Sequence, residues 1–535
     1  MSQTVGDYAA LLQDNDFVTK LSARLGLEKA DTVNQGTGLL WYDLRPVVLM
    51  LYPFQELIPC ISKLPRVAYN GGNAFHWKRI TSINSTNVSP GVSEGNRGAR
   101  IAVAVQDQQA TYKTLGLESS VTFEARLGSQ NLNPEALGTA VQSTLRATMI
   151  AEEQILILGN SSTPLGTVGT VTLLASGSGG TIPTASPGLY VMCVALSGIG
   201  WLSYTSYNSV TGLGGVPAQI NKVNADASVD IFGGGSSKPS AEASVNVTSG
   251  QVVTASVAVV NGAVAYAWYA GTTSGSETFV GITATNRVII TKVPAATNQP
   301  IGNLKVGGVY QDNSTNALLP DGILSQIFGS VFGGAPGTVM STNPSLPTNI
   351  TLTGGGSLVY TAPVGNTGLT IAGTNIAEFD VLLQAAYEQY KIGFDKVYMS
   401  SADISNFSGL MLASGNTSMF RIMFEANQET GRLIAGRRIT SYLNKFFGNT
   451  LDIEIHPYMP PGTILFWSDR APYELSGVPN ILEAHVRQDY YQIQWPLATR
   501  RYEYGVYVDE VFACYFTPAF AVITNLNAPT GVPSF

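Results

Sequence analysis

The sequence predicts an α+β body interrupted by an all-β insertion, and three observations carry that expectation. Across residues 165–365 charge almost disappears: 11 charged side chains stand in 201 residues, against 54 in the other 334. The same stretch holds 31 of the 56 glycines, with Ser, Thr, Ala and Val filling most of the rest. One long helical pattern precedes it at 133–158, and a helix, a strand, a second helix and then several strands follow it from Asn375.

Bulk composition sets the outer limits. A chain of 535 residues is too long for one core and implies about two to four domains. Hydrophobic residues at 44% exclude wholesale disorder, and charged residues at 12% are about half the usual share. Net charge is −7, and the richest basic cluster, Arg432, Arg437 and Arg438, is too small for tight non-specific nucleic-acid binding. Cys60, Cys193 and Cys514 are odd in number, far apart and in apolar contexts. They read as buried thiols rather than a zinc site or a disulfide framework. The first residues show neither the basic nor the apolar region of a secretory signal, and the longest apolar run, 47–54, is far short of the ~20 residues that span a bilayer. The chain reads as soluble, without a membrane partner, and made in the cytoplasm.

Residues 1–60 form an N-terminal arm. Helical spacing over 7–27 gives way to an apolar stretch broken by Pro46, Pro53 and Pro59, which suits an extended segment rather than a long helix. Residues 61–164 follow as ribbon and spine. Strand patterns at 74–80, 101–105 and 119–125, with a polar stretch at 82–100, predict a long two-stranded ribbon with a charged tip. An isolated ribbon is marginal in water, so this one must rest on something else. Over 133–158, Asn133 suits the cap, Pro134 the first turn and Glu135 the dipole. Leu137, Val141, Leu145 and Met149 recur at spacing four as an apolar stripe, and about 26 residues make a rod of roughly 39 Å.

Within 165–373, alternating segments are punctuated by Ser249-Gly250, Asn261-Gly262 and Ser274-Gly275, pairs that favour tight turns. Short strands around a central Trp268 predict an immunoglobulin- or fibronectin-like sandwich at about 184–295. An irregular return segment follows, with an apolar island at 322–332. Residues 374–535 resume the body. Asn375 followed by Glu378 reads as a capping box, with Phe379, Leu382, Leu383, Ala386, Tyr387 and Tyr390 on one helix side. Residues 396–400 form a strand, Ser401 caps a second helix, and strands follow at 451–455, 463–467, 481–486 and 502–516.

Chemistry is hard to place. His76, His456 and His485 are scattered and read as structural, and there is no HExxH, GxSxG, Walker A or GxGxxG pattern. The Gly233–Gly235 and Gly354–Gly356 triplets lack a strand-to-helix context and read as turns or linkers. Glu152-Glu153 and Asp509-Glu510 are adjacent and do not converge on one site without help from elsewhere. The aromatic run Trp467, Tyr473, Tyr490, Tyr491 and Trp495 reads as core or interface. An enzyme is not expected, and neither is a cofactor.

Taken in order, these elements resemble the major capsid protein of tailed viruses, the HK97-like capsid fold. The N-arm, the extended loop ribbon, the spine helix ending in ILILGNSSTPLG, and an axial subdomain with DKVYMSSADISNF and HPYMPPGTILFWSD carry the likeness over about 334 residues. The inserted sandwich is not part of the minimal fold. The resemblance implies self-assembly into hexamers and pentamers of an icosahedral shell enclosing double-stranded DNA without sequence-specific binding. It implies a virion protein assembled in the host cytoplasm. Its partners would be further copies of itself, portal and decoration proteins, and a separate scaffolding protein or none, since no long N-terminal scaffolding segment is present. Glu94, Arg97 and Arg100 on the ribbon tip, with Lys113 and Glu118, become candidate intersubunit contacts. Covalent crosslinking through Lys113 is unsupported, because no motif singles out a partner Asn. The inserted domain would lie on the outer surface, for attachment or shell stabilisation. A host-binding fibre or adhesin with an Ig-like module, and a nanocompartment shell, are the competing readings.

Overall fold

The computed structural model describes residues 54–68, 71–83, 91–98, 100, 103–129, 135–329, 346–363, 368–372, 375–413, 439–469, 479–497, 499–527 and 533–535. The arm up to residue 53, with its helix at 7–27, lies outside the described residues, as do Asn133, Pro134, Tyr473 and the cluster Arg432, Arg437 and Arg438. Packing divides the chain into two units, each described by itself: Val121–Thr139 belongs to one, and Tyr52–Ser120 with Ala140–Phe535 forms the other.

After β1 (Arg66–Ala68), the strands β2 (Ala74–Ile83) and β3 (Val103–Thr111) pair antiparallel as the expected ribbon. Its root is anchored by aromatic packing. Phe75 stacks on His485 with ring centroids 3.6 Å apart, and Trp77 meets Tyr515 edge-on at 5.7 Å. The distal half is different. A bulge between Ile80 and Ser82 resets the phase, so that Ile80 faces Val105 and Ile83 faces Val103. Because alternate residues share a face, all four apolar side chains lie on one side, 48–64% exposed.

β4 (Lys113–Thr122) ends sooner than the strand expected over 119–125. Thr122 Oγ1 accepts the Ala125 amide at 3.2 Å, an N-cap that turns the chain into α1 (Phe123–Gly128). The spine helix α2 (Ala136–Leu158) has 23 residues, roughly 34 Å of rod. At its start the Ser129 hydroxyl accepts the Ala136 amide at 3.0 Å. Its spacing-four stripe is only half-buried. The buried residues are Thr144, Thr148, the pair Glu152 and Glu153, and Ile155 to Leu158. No helix among the described residues is long and apolar enough to cross a membrane.

The charge-poor stretch builds two facing sheets. The larger has the order β7-β6-β9-β10, from β6 (Ala185–Leu196), β7 (Ala243–Val247), β9 (Ala265–Gly271) and β10 (Thr278–Thr283). The smaller has the order β11-β8-β5, from β5 (Thr172–Ser176), β8 (Val252–Ser256) and β11 (Arg287–Ile290). Val191, Cys193, Trp268, Val253, Ala255, Val288 and Ile290 share the core between them. Trp268 Nε1 donates to Thr283 Oγ1 at 2.8 Å, so the buried indole is satisfied. Met192, Val194, Ala267 and Tyr269 point the other way, into a second cluster with Val216, Ile301 and Leu304. β9 is therefore covered on both faces, which explains why its sequence shows no polar alternation. The sandwich recruits β5 from upstream of residue 184.

The return segment is more regular than the sequence suggests. α3 (Ile323–Phe328) is wholly buried, and β12 (Ile350–Leu352) and β13 (Leu358–Thr361) join the body's main sheet. That sheet is seven-stranded, in the order β12-β13-β20-β17-β14-β16-β15. The remaining strands are β14 (Lys396–Met399), β15 (Ser441–Leu443), β16 (Thr450–Ile455), β17 (Ile464–Trp467) and β20 (Phe520–Thr524). The helix α4 (Ala377–Tyr390) lays Phe379, Leu382, Leu383 and Ala386 in its core with Phe407 of α5 (Ser401–Ala413).

Two caps differ from expectation. The α4 cap position is Ile376, which makes no side-chain cap bond. Asn375 Nδ2 instead donates to Asp380, and Glu378 accepts the Thr370 amide. For α5 the capping side chain is Ser400, one residue earlier than expected. Its Oγ accepts the Asp403 amide at 3.1 Å and donates to the Asp403 carboxylate at 2.7 Å. A second sheet, β1-β18-β19-β4, is dominated by the long antiparallel pair β18 (Leu482–Gln494) and β19 (Arg501–Cys514).

Candidate functional site

The residues singled out from sequence do not form one site. Glu94, Arg97 and Arg100 lie exposed between β2 and β3. Lys113 starts β4 at the opposite end of the ribbon, beyond the nine residues of β3, about 30 Å at 3.3 Å per residue. Its Nζ donates to the Ala317 carbonyl at 2.7 Å, and the Glu118 carboxylate accepts the Tyr507 hydroxyl. These last two are therefore engaged within the chain.

A dense polar arrangement surrounds Glu152 and Glu153, adjacent residues of α2 whose side chains are fully buried. Consecutive helical positions are about 100° apart, so the two carboxylates serve different neighbours. Glu153 accepts three hydrogen bonds: from the Cys60 amide at 3.0 Å, the Ile61 amide at 2.7 Å and His456 Nε2 at 2.8 Å. The His456 tautomer follows from its other side. Nδ1 accepts the Tyr458 amide at 3.2 Å, so the proton of the neutral ring sits on Nε2 and points at Glu153.

Cys60, Glu153 and His456 place one donor atom each within 4.8 Å of one another, which raises the question of a metal. As the groups stand, the ring proton on Nε2 points at Glu153, and burial together with the Glu153 charge pushes the Cys60 thiol well above its ordinary value. A metal would have to displace both protons to bind here. The arrangement is a hydrogen-bonded junction that ties residues 60–61 and the end of β16 to α2.

Glu152 faces the β1-β18-β19-β4 sheet. Arg66 Nη2 and the Tyr490 hydroxyl both donate to it, and the guanidinium lies 4.6 Å from the centre of the Tyr490 ring. Arg66 Nη1 also donates to Asp489 at 2.9 Å and lies 3.7 Å from Glu510 Oε2. Glu510 is fully buried, and neither of its oxygens accepts a hydrogen bond among the described residues. Three carboxyl groups thus share one guanidinium. Burial raises Glu152, and burial together with the Glu152 charge pushes Glu510 well above the carboxylate range. Both shifts favour the protonated form of this pair relative to an exposed carboxylate.

Adjacent acids on β19 diverge in the same way, with Asp509 bound to Arg487 at 2.8 Å on the opposite face from Glu510. His485 is structural: burial lowers its pKa, and its Nε2 donates to the Tyr515 hydroxyl at 2.8 Å, which donates on to Glu483. His76 is exposed on the ribbon. All three cysteines are buried and free. The junction escaped the sequence reading because its hydrogen-bonded members are as much as 424 positions apart. Its one visible trace was a pair of carboxylates inside the apolar run MIAEEQILIL.

No protein-family model and no curated protein matches the sequence. Solved structures do. The chain is similar to the capsid of a native GTA particle, at 9% identity over 93% of this chain and 100% of that one, with a TM-score of 0.42. It is similar to a chain of the cyanophage A-1(L) capsid asymmetric unit, at 10% identity, 94% and 99% coverage and a TM-score of 0.38. It is also similar to the capsid of the Myoviridae phage XM1, at 6% identity, 85% and 86% coverage and a TM-score of 0.33. All three are capsids.

Two measurements test the junction. Glu153→Gln keeps the shape but sets an amide group against the Cys60 and Ile61 N–H groups. It is expected to lower unfolding stability by about 2–4 kcal/mol, read as a lower urea midpoint at unchanged slope, whereas an unchanged midpoint would contradict the junction. For Glu510 the folded-state pKa is raised. Its contribution is therefore full below the unfolded carboxyl value of ~4.3 and is lost as pH rises toward the folded value. Glu510→Gln removes that loss, so its melting temperature is expected to rise relative to wild type as the pH is raised above ~4.3. Parallel curves across that window would show that Glu510 ionises freely.

Proposed function

We propose that this chain is the major shell protein of an icosahedral capsid, assembling as hexamers and pentamers around double-stranded DNA. One observation carries the reading: the distal ribbon presents Ile80, Ile83, Val103 and Val105 on a single exposed face. Four large apolar side chains exposed at the far end of a ribbon anchored at its root are costly in water and suit burial against a neighbouring copy. Glu94, Arg97 and Arg100 beside them provide a polar, charged rim of the kind that fixes register between subunits.

The junction around α2 supports the same reading. Its carboxylates are consumed in holding chain segments together, and the cysteines and histidines near it are protonated or hydrogen-bonded structural groups. Function then lies in interlocked surfaces rather than in turnover. A net charge of −7 fits a container that encloses DNA without gripping it. The sandwich, begun by β5, is proposed as a domain inserted between the spine and the axial body and displayed outside the shell. Scaffold, portal and decoration proteins would be its assembly partners, and the virion its location.

Electron microscopy of the expressed protein, alone or with a scaffold from its genome, is expected to show closed shells or capsomer rings. The double variant Ile80→Ser, Ile83→Ser is expected to leave subunit stability within about 0.5 kcal/mol, since both positions are exposed, while abolishing assembly. A wild-type chain that remains monomeric or forms trimeric rods would overturn the shell reading. Assembly of the double variant at the wild-type level would remove the ribbon from it.

A further inference from the structure

We propose that the outer edge of β11 is a peptide-binding groove whose occupant is the chain's own segment 533–535, and that this added strand ties the end of the body to the sandwich. Nothing in this inference depends on the shell reading. The smaller sandwich sheet has the order β11-β8-β5, so one side of β11 would otherwise present unpaired backbone groups. Residues 533–535 run parallel to it, with Ser534 opposite Ile289.

Three backbone bonds alternate as a parallel ladder requires. The Ile289 amide donates to the Pro533 carbonyl at 2.9 Å, the Phe535 amide to the Ile289 carbonyl at 3.0 Å, and the Thr291 amide to the Phe535 carbonyl at 2.7 Å. The Thr291 hydroxyl adds a bond to the same oxygen at 2.5 Å. Pro533 serves only as an acceptor, so its missing N–H costs nothing.

Side-chain selectivity comes from Gly281 on β10. A Cβ there would lie 2.5 Å from a ring carbon of Phe535, and its nearest neighbours would all be ring atoms. The absent side chain is the space the ring occupies, and Phe535 packs there against the sandwich core. Backbone pairing supplies the affinity and one aromatic slot supplies the selection, which is how strand-addition sites bind extended peptides.

The test uses the full chain and a form lacking residues 533–535. On deletion, the Ile289 and Thr291 amides are expected to exchange with solvent at least about tenfold faster. The Val288 and Ile290 amides, which point to β8, should keep their rates. A labelled peptide of the sequence NAPTGVPSF should bind the shortened chain, and the same peptide ending in Ala should bind at least about tenfold more weakly. Gly281→Ala provides the second arm: it should abolish peptide binding by the shortened chain while leaving that chain's stability unchanged. Unaltered exchange at Ile289 and Thr291 after deletion would overturn the proposal. So would peptide binding indifferent to both the terminal Phe and Gly281→Ala.

Discussion

Two buried carboxylates on one turn of α2 set the constraint on which the rest of the body depends. Stripping a carboxylate of water costs several kcal/mol unless donors replace the solvent, so each of these groups dictates what must surround it. Glu153 obtains its donors from residues 60 and 61 and from His456. Glu152 obtains them from Arg66 and Tyr490, with Glu510 alongside, its carboxyl pushed well above the carboxylate range by burial and the Glu152 charge. The start of the described chain, the β1-β18-β19-β4 sheet and the end of β16 are therefore fixed to one helix. A purely apolar contact could slide, but a charge with a complete set of donors has one register.

That rigidity explains how the ribbon can extend. Its root packs through Phe75 and Trp77 on His485 and Tyr515, residues in and just beyond the same two long strands. Its far half offers an exposed apolar face of Ile80, Ile83, Val103 and Val105. A stiff origin holds that exposed face in a defined direction. The sandwich differs: one core lies between its two sheets, and the added strand at β11 closes an edge that would otherwise invite unwanted pairing.

The order of elements could be read from sequence because each rests on local pattern. The ribbon alternates, α2 repeats at helical spacing, and Trp268 stands amid short strands between turn signals. Boundaries failed where a single side chain decides: Thr122 ends β4, and Ser400 rather than Ser401 caps α5. Strands β12 and β13 hid in the return segment because three or four residues among glycines make no periodic signal. The three residues that pair with β11 are shorter still. The junction failed for another reason. A carboxylate in an apolar helix signals that donors must exist, but nothing local says that they come from positions 60, 66, 456 and 490. Glu94, Arg97 and Arg100 are exposed between the ribbon strands, and Lys113 and Glu118 make hydrogen bonds within the chain.

Hydrogen exchange at Cys60 and Ile61 in the purified chain tests the central claim most directly. If Glu153 pins this segment, both amides exchange only when the whole body unfolds, at the rate of Val397 in the middle of the seven-stranded sheet. If they exchange rapidly while Val397 stays protected, the segment is only resting on α2, and the buried carboxylates do not organise the fold.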